Sequence, residues 1–200
     1  MFYKPENGHG LPHDPFKAIV APRPIAWVST RDAQGRDNLA PYSFFNGISD
    51  TPPIVGFSSG AAKLDGTAPK DSARNIHETG VFCISIVPEH LQDAMNISSG
   101  NYPADQDEFA LAGLEKSQAQ TIDAAYVTDA PATLECRLFQ AVPLPGGYEW
   151  IMGMVTAVHI QDRYLVDGLL DVTLYRPLAR LGYRDYAAVG EIFQLTRPST

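Results

Sequence analysis

The sequence has few cysteines and a shortage of basic residues, and each shortage excludes a class of protein. Cysteine occurs twice in 200 residues, as Cys83 and Cys136, which is too few for a disulfide scaffold. Each lies in an apolar run, so we expect both thiols to be buried. Fifteen lysines and arginines stand against 23 aspartates and glutamates, giving a formal net charge of −8. That charge repels a duplex polyanion, so we expect no nucleic-acid partner.

Long apolar segments and cofactor fingerprints are lacking as well. No run approaches the ~20 apolar residues that a membrane helix needs. The first residues contain no apolar core of a secretory signal, so we expect a soluble, cytoplasmic protein without a membrane partner. The five histidines show no metal-ligand spacing, and no metal site is expected. No Gly-x-Gly-x-x-Gly follows a strand, so we expect no separate dinucleotide-binding domain.

Strand-like patterns dominate what is present. Six runs that are rich in apolar residues and bounded by turn residues predict strands at 25–30, 39–45, 54–58, 81–87, 132–144 and 148–161. Three short segments, 72–79, 89–96 and 107–114, have helical patterns. Because the strands follow one another in hairpins, the sequence predicts a mainly β, antiparallel barrel with a few peripheral helices. In 132–144 the period of two places Glu135 and Arg137 on the polar face of a half-buried strand.

Cations and hydroxyl groups cluster at the beginning of the helix predicted at 72–79. Lys70 and Arg74 supply two positive charges, and Ser72 and Asn75 supply neutral donors. A helix begins with unpaired N–H groups and a partial positive charge, so this combination suits a phosphate group. The alternative is an ordinary surface helix capped by Asp71 or Ser72.

Two segments before this helix combine aromatic rings or apolar residues with small polar groups. The segment 38–46 mixes aromatic rings with amide and hydroxyl groups, and 57–60 ends a buried strand in small donors. A flat heteroaromatic ring with a polar edge needs both kinds of contact. The alternative for Phe44 and Phe45 is a place in the core.

Four motifs resemble, in order, the flavin reductase-like family of FMN-binding split barrels, which includes flavoredoxin and the reductase components of two-component monooxygenases. They are RPIAWVST (23–30), NLAPYSFFN (38–46), PPIVGFS (52–58) and KDSARNI (70–76). The segments 153–160 and 177–183 resemble its C-terminal half, except that Tyr183 stands where a second glycine is common. The resemblance covers about 17–186, taken as the barrel core of one domain formed by residues 1–200.

The resemblance implies a six-stranded Greek-key barrel that forms a homodimer and holds FMN in a groove near the dimer interface. The phosphate is expected at Lys70, Ser72 and Asn75, with Lys63 as an alternative lysine, and the isoalloxazine ring along 42–46. The expected cofactor-binding residues are Ser29, Thr30, Tyr42, Ser43, Phe44, Phe45, Asn46, Ser58, Ser59, Lys70, Ser72, Asn75 and His159. His159 has two interpretations, a place beside flavin or nicotinamide and a structural role.

The activity that the resemblance implies is hydride transfer from NADH or NADPH to flavin. Hydride transfer is chemistry of the flavin, so no proton-transferring side chain is expected. The electrons would pass to free flavin, oxygen or a protein such as a monooxygenase. One alternative is an FMN-containing electron carrier that a partner protein reduces, with little NAD(P)H activity. Another is a split barrel that binds no flavin.

Overall fold

The computed structural model describes residues 1–60 and 70–198, which form a β-rich body with short helices around it. The strands are β1 (Arg23–Pro24), β2 (Ala26–Arg31), β3 (Asp37–Tyr42), β4 (Phe45–Asp50), β5 (Pro53–Ser59), β6 (Val81–Ile86), β7 (Lys116–Gln118), β8 (Ala125–Val127), β9 (Ala132–Leu144), β10 (Tyr148–Ile160), β11 (Leu165–Val166), β12 (Leu169–Leu170), β13 (Leu178–Arg180) and β14 (Tyr186–Ala188). The α-helices are α1 (Phe16–Ile19), α2 (Asp71–Thr79), α3 (Gln92–Ser98), α4 (Glu108–Leu111) and α5 (Val172–Tyr175). Short 3₁₀ turns lie at Pro5–Asn7, Glu89–Leu91, Pro145–Gly147 and Asp162–Tyr164.

The main sheet curls until its two edges meet. Its seven antiparallel strands run in the order β3-β2-β6-β9-β10-β5-β4, so β3 and β4 are opposite edges. Ser43 and Phe44 alone connect these edges, and consecutive Cα atoms are about 3.8 Å apart, so the edges must lie close together. The Ser58 amide also donates to the Phe44 carbonyl at 2.8 Å. The predicted antiparallel, mainly β fold is confirmed.

The main sheet has one strand more than predicted. The apolar run at 39–45 was expected to be a single strand, but it contains the end of β3, the crossover and the first residue of β4. The sequence shows no sign of the crossover between β3 and β4, because apolar residues on both sides of it pack against the core. Tyr42 and Phe45 lie against the same buried cluster as Phe57.

Two layers of core pack on the two faces of β2. Alternation along the strand sends Val28 inward to Phe57 and Phe82, and Trp27 outward to Met95 of α3. The Trp27 indole also donates from Nε1 to Ser98 Oγ at 2.8 Å. Both cysteines are buried, as predicted. No helix in the described parts of the chain is long and apolar enough to cross a bilayer.

The polar face predicted for β9 is only partly exposed. Arg137 faces solvent, whereas Glu135 is completely buried. The segment that follows β7 covers it, and the amides of Gln120 and Thr121 each donate to its carboxylate at 2.7 Å. The period of two gave the correct face, but tertiary packing decides which part of that face meets water.

Candidate functional site

A cavity of about 380 Å³, here called the main cavity, lies between the β3–β4 crossover, the N-terminal segment and the turn from β13 to β14. A smaller one of about 90 Å³, the side cavity, adjoins it towards α3 and α4. The two cavities share Pro41, Tyr42, Lys70 and Ser99 in their walls. The main cavity has the size expected for a small-molecule or cofactor site.

Tyr42 fixes the wall between the two cavities. Its ring lies 4.8 Å from the Phe57 ring, centroid to centroid, and its hydroxyl hydrogen-bonds with Ser72 and Ser59. Burial raises the pKa of Tyr42, although these two hydrogen bonds oppose the change. The phenol is therefore neutral and ties β3 to β5 and α2.

Helix α2 presents its first turn to this wall. The first intrahelical bond runs from the Arg74 amide to the Lys70 carbonyl at 3.0 Å, so the turn before it is the positive end of the helix. Lys70 is the N-cap, and its side chain makes no capping hydrogen bond. Arg74 forms an ion pair with Asp71 at 2.6 Å, which leaves Lys70 as the cation of this segment that faces both cavities.

Glu108 is a buried carboxyl in the wall of the side cavity. It is 6% exposed and accepts a hydrogen bond from the Leu39 amide at 3.0 Å. Burial raises the pKa of Glu108 to about 7, because hydrogen bonds from the amides of Leu39 and of Glu108 itself do not offset the loss of water. At neutral pH much of this carboxyl is therefore protonated, which reduces the negative charge beside Lys70.

The main cavity is cationic in an acidic protein. Lys17, Arg23, Lys70 and Arg180 line it, and none of its described lining residues is an aspartate or glutamate. Arg23 in β1 and Arg180 in β13 are direct cross-strand partners. Like charges in that position repel each other, so this arrangement favours an anionic ligand.

Arg23 is a buried guanidinium without a carboxylate partner in the described residues. It is 5% exposed and donates to the carbonyls of Lys17, Val20 and Leu181. Its Nε has no acceptor in the described part of the chain. Burial, and then the charge of Arg180, lower the pKa of Arg23. The guanidinium is held in place by carbonyl groups that carry no full charge, so an anion would complete its environment.

Several predicted site residues are brought together here. The main cavity is lined by Tyr42, Ser43, Phe44, Ser58 and Lys70, and the side cavity by Tyr42, Lys70 and Ser72. In the wall of the side cavity, Asn38 Nδ2 donates to Ser72 Oγ at 2.9 Å. Thr30 and Asn75 are buried outside both cavity walls, where Asn75 Nδ2 donates to Thr30 Oγ1 at 3.0 Å.

Other predicted residues lie outside the cavity walls. Ser59 is completely buried behind Ser58, as alternation along a strand requires. Phe45 packs on the inner core, the alternative considered for it. Asn46 is exposed on β4, where its Oδ1 accepts from the Gly47 amide at 2.9 Å. Lys63 lies outside the described residues.

Ser29 and His159 are separated from both cavities within one chain. Ser29 faces the opposite side of β2 from Thr30, and its Oγ donates to the Ala125 carbonyl at 2.6 Å. His159 Nε2 bonds to Glu135 Oε1 at 2.5 Å, and its ring lies 4.7 Å from that of Tyr126. Neighbouring residues on a strand point to opposite faces, so Ser29 and Thr30 do not share one site.

The sequence-based site omitted the arginine pair and the residues that hold it. Arg23 and Arg180 both occur in the motifs quoted above, but their pairing depends on strand register, which short motifs do not reveal. Tyr183 has a φ of 54°, in the left-handed region that glycine adopts most easily. A Cβ on Gly182 would lie 2.8 Å from the Cα of Ala18, so a glycine there lets α1 pack on the turn.

Comparisons with known proteins agree with this geometry. The family described as "Flavin reductase like domain" matches residues 20–176. A protein of Halalkalibacterium halodurans without an assigned function is 36% identical over 185 residues, covering 90% of this chain and 88% of that protein. Among solved structures, nitrilotriacetate monooxygenase component B from Bacillus cereus has a TM-score of 0.89 at 29% identity, with 98% of each chain covered.

A second solved structure is similar over most of its length. Flavoredoxin of Desulfovibrio vulgaris (Miyazaki F) has a TM-score of 0.77 at 25% identity, covering 88% of this chain and 91% of that one. The family match spans far more than half of the chain and includes the β3–β4 crossover and the start of α2. The chain belongs to the flavin reductase-like family of split-barrel proteins.

Proposed function

We propose that this protein is an FMN-binding oxidoreductase that transfers a hydride from NADH or NADPH to flavin. The observation that carries the proposal is the cationic main cavity, whose wall contains Lys70, the N-cap of α2, and the β3–β4 crossover. An anionic planar ligand matches that combination of charge and aromatic contacts, and family membership favours flavin as the ligand.

The chain's own residues would bind and orient the cofactor. Lys70 and the N–H groups at the start of α2 would hold the phosphate, since a helix N-terminus and a lysine both favour a dianion. The backbone of 42–44 would run along the ring. Bound FMN would supply the hydride-accepting chemistry, and no titratable side chain of the cavity is assigned a proton transfer.

The second candidate is an FMN-containing electron carrier reduced by a partner protein. The similarity to flavoredoxin favours it, and the similarity to a monooxygenase component favours an acceptor protein downstream of either function. The two candidates share one binding site and differ in whether a nicotinamide reduces the flavin directly.

We also propose a homodimer with the exposed apolar residues of the main sheet at its interface. Ile48 of β4, Phe139 of β9 and Val158 of β10 are each about half exposed, at 48%, 54% and 56%. Contact with a second copy of the chain would remove such apolar side chains from water. Phe139→Glu is expected to lower the mass measured by light scattering towards that of one chain, and an unchanged mass would contradict this interface.

Rapid mixing separates the two functions. The FMN-loaded protein is mixed anaerobically with NADH and, separately, with NADPH, and flavin absorbance is followed. Fast bleaching with at least one nicotinamide supports the oxidoreductase. Persistent oxidised flavin with both favours the carrier. A colourless protein that gains no thermal stability from excess FMN would favour a barrel without flavin, because saturating ligand adds about 2.7 kcal/mol at 100 times its Kd.

The phosphate contact is tested by comparing FMN with riboflavin, which has no phosphate. Lys70→Met is expected to weaken FMN binding on the order of 10- to 100-fold, the value of one charge-assisted hydrogen bond, and to leave riboflavin binding nearly unchanged. Lys4→Met, on an exposed lysine, is the matched control. Equal losses for both ligands would show that Lys70 does not contact the phosphate.

A further inference from the structure

The main cavity contains a second cationic position besides Lys70. Arg23 and Arg180 line the main cavity only, whereas Lys70 lines both cavities. The proposed function needs one anion site for one phosphate, and it assigns that site to Lys70. Lys17 and the two arginines remain, and the arginines are paired across β1 and β13 without a carboxylate among the cavity's described lining residues.

The arginine pair is maintained by the fold at an energetic cost. Directly opposed like charges destabilise a strand pair, and the burial of a charge adds to that cost. Carbonyl groups of the N-terminal segment and of Leu181 nevertheless hold Arg23 in position, and its Nε remains without an acceptor in the described residues. An ordinary structural arginine would be expected to meet a carboxylate here, so the pair indicates a site for an anion.

Aromatic rings surround the same position. The Arg180 guanidinium lies 4.3 Å from the centroid of the Tyr186 ring, and the Arg23 guanidinium lies 5.4 Å from that of Phe44. Tyr148 and Tyr183 complete the aromatic part of the wall. Flat apolar faces next to two guanidinium groups suit a ring that bears a negative group.

We propose that Arg23 and Arg180 bind the carboxylate of a small aromatic acid, whose ring lies among the aromatic residues of the main cavity. Guanidinium groups match the two oxygens of a carboxylate in geometry and in charge. The inference rests on the proposed function and deepens it, because it names the class of the second ligand that meets the flavin.

Benzoate is the probe, and calorimetry with the FMN-loaded protein measures its binding, supported by the change in flavin absorbance. Benzoate is expected to bind saturably, and benzamide, its neutral isostere, at least about tenfold more weakly. Arg180→Met is expected to weaken benzoate binding on the order of 10- to 100-fold, and FMN and riboflavin binding are measured on the same variant. Arg184→Met removes the same charge from an exposed position in the same turn and is the control.

Other outcomes would overturn the inference without affecting the proposed function. FMN binding without benzoate binding is one of them. A second is a loss of FMN affinity, but not of riboflavin affinity, in Arg180→Met, which would assign the arginines to the flavin phosphate. Displacement of benzoate by an equal concentration of inorganic phosphate would show an anion site with no preference for a ring.

The proposed FMN function and the proposed aromatic-acid site can be tested independently. If the protein does not bind FMN, the proposed function is wrong, and titration of the apoprotein with benzoate still tests the arginine pair. Arg23→Lys keeps the buried charge but loses the forked geometry, so it is a second variant if Arg180→Met does not fold. It is expected to weaken benzoate binding more than it weakens binding of inorganic phosphate.

Discussion

Two buried charges in this protein have opposite environments. Glu135 on β9 is completely buried and receives four hydrogen bonds, from two amides, the Thr121 hydroxyl and His159. Arg23 on β1 is 5% exposed and meets only neutral carbonyls, with Arg180 beside it. The chain itself supplies the hydrogen-bond donors that stabilise Glu135. Arg23 has no carboxylate partner in the described residues, and we propose that a ligand supplies one.

The comparison shows how a structural charge differs from a binding one. Burial alone would raise the pKa of Glu135, but its four donors more than offset that effect and hold the pKa at about 2. Glu135 fixes the segment after β7 on the outer face of the sheet. No such compensation surrounds the arginine pair, which lies in the wall of the main cavity.

The largest effect on stability is expected when Glu135, the buried charge with four hydrogen-bond donors, is replaced. Glu135→Ala leaves the amides of Gln120 and Thr121 and the ring of His159 without their acceptor, and we expect a loss of about 3–5 kcal/mol in the free energy of unfolding. Urea unfolding measures it, with Glu115→Ala at an exposed position as a control expected to change stability by less than about 0.5 kcal/mol. A loss for Glu135→Ala no larger than that of the control would refute the distinction.

The Glu135 carboxylate also makes the free energy of unfolding depend on pH. Its pKa in the folded protein is about 2, below the ordinary value of 4.5. Its contribution to stability is therefore fully present above about pH 4.5 and declines as the pH falls towards 2. Glu135→Gln should flatten the acid side of the stability profile in this range.

Glu108 contrasts with Glu135, because it is a buried carboxyl with a single amide donor from another residue. Its folded pKa of about 7 lies above 4.5, so its contribution is most favourable below pH 4.5 and is lost as the pH rises through 7. We expect Glu108→Gln to be more stable than the wild type at pH 8 by up to about 3 kcal/mol, with little difference at pH 4.5. An equal difference at both pH values would mean that Glu108 does not titrate in this range.

A smaller effect is expected when the segment that holds Arg23 is displaced. Gly182→Ala places a Cβ 2.8 Å from the backbone of Ala18, so α1 must shift, at a cost of about 1–3 kcal/mol. Benzoate binding should weaken together with stability. Gly190→Ala is the control, since a Cβ there meets nothing within 4 Å. Unchanged benzoate affinity in Gly182→Ala would show that α1 does not position the arginine.

Local patterns predicted much of the fold. The β9–β10 hairpin and the end of α2 at Gly80, whose φ is 73°, depend on turn chemistry that short segments carry. The crossover at Ser43 and Phe44 was not predicted, since apolar residues continue on both sides of it. The burial of Glu135 was not predicted either. The segment after β7, which lies outside β9, covers it, and the alternation within β9 does not reveal that contact.

The site was predictable where it is contiguous. Tyr42, Ser43, Phe44, Ser58, Lys70 and Ser72 line the cavities as the local motifs indicated. The arginine pair depends on the register between strands from the two ends of the chain. Ser29 was placed by motif, but strand alternation turns it away from both cavities. His159, for which a structural role was the alternative, bonds to Glu135 within one chain.

A crystal structure of the protein grown with FMN would locate the phosphate and the ring directly. We predict that the phosphate lies at Lys70 and the first turn of α2, with the ring along residues 42–44 and the Arg23–Arg180 pair not in contact with the phosphate. Density for the phosphate at the two arginines, or for FMN outside the main and side cavities, would contradict it.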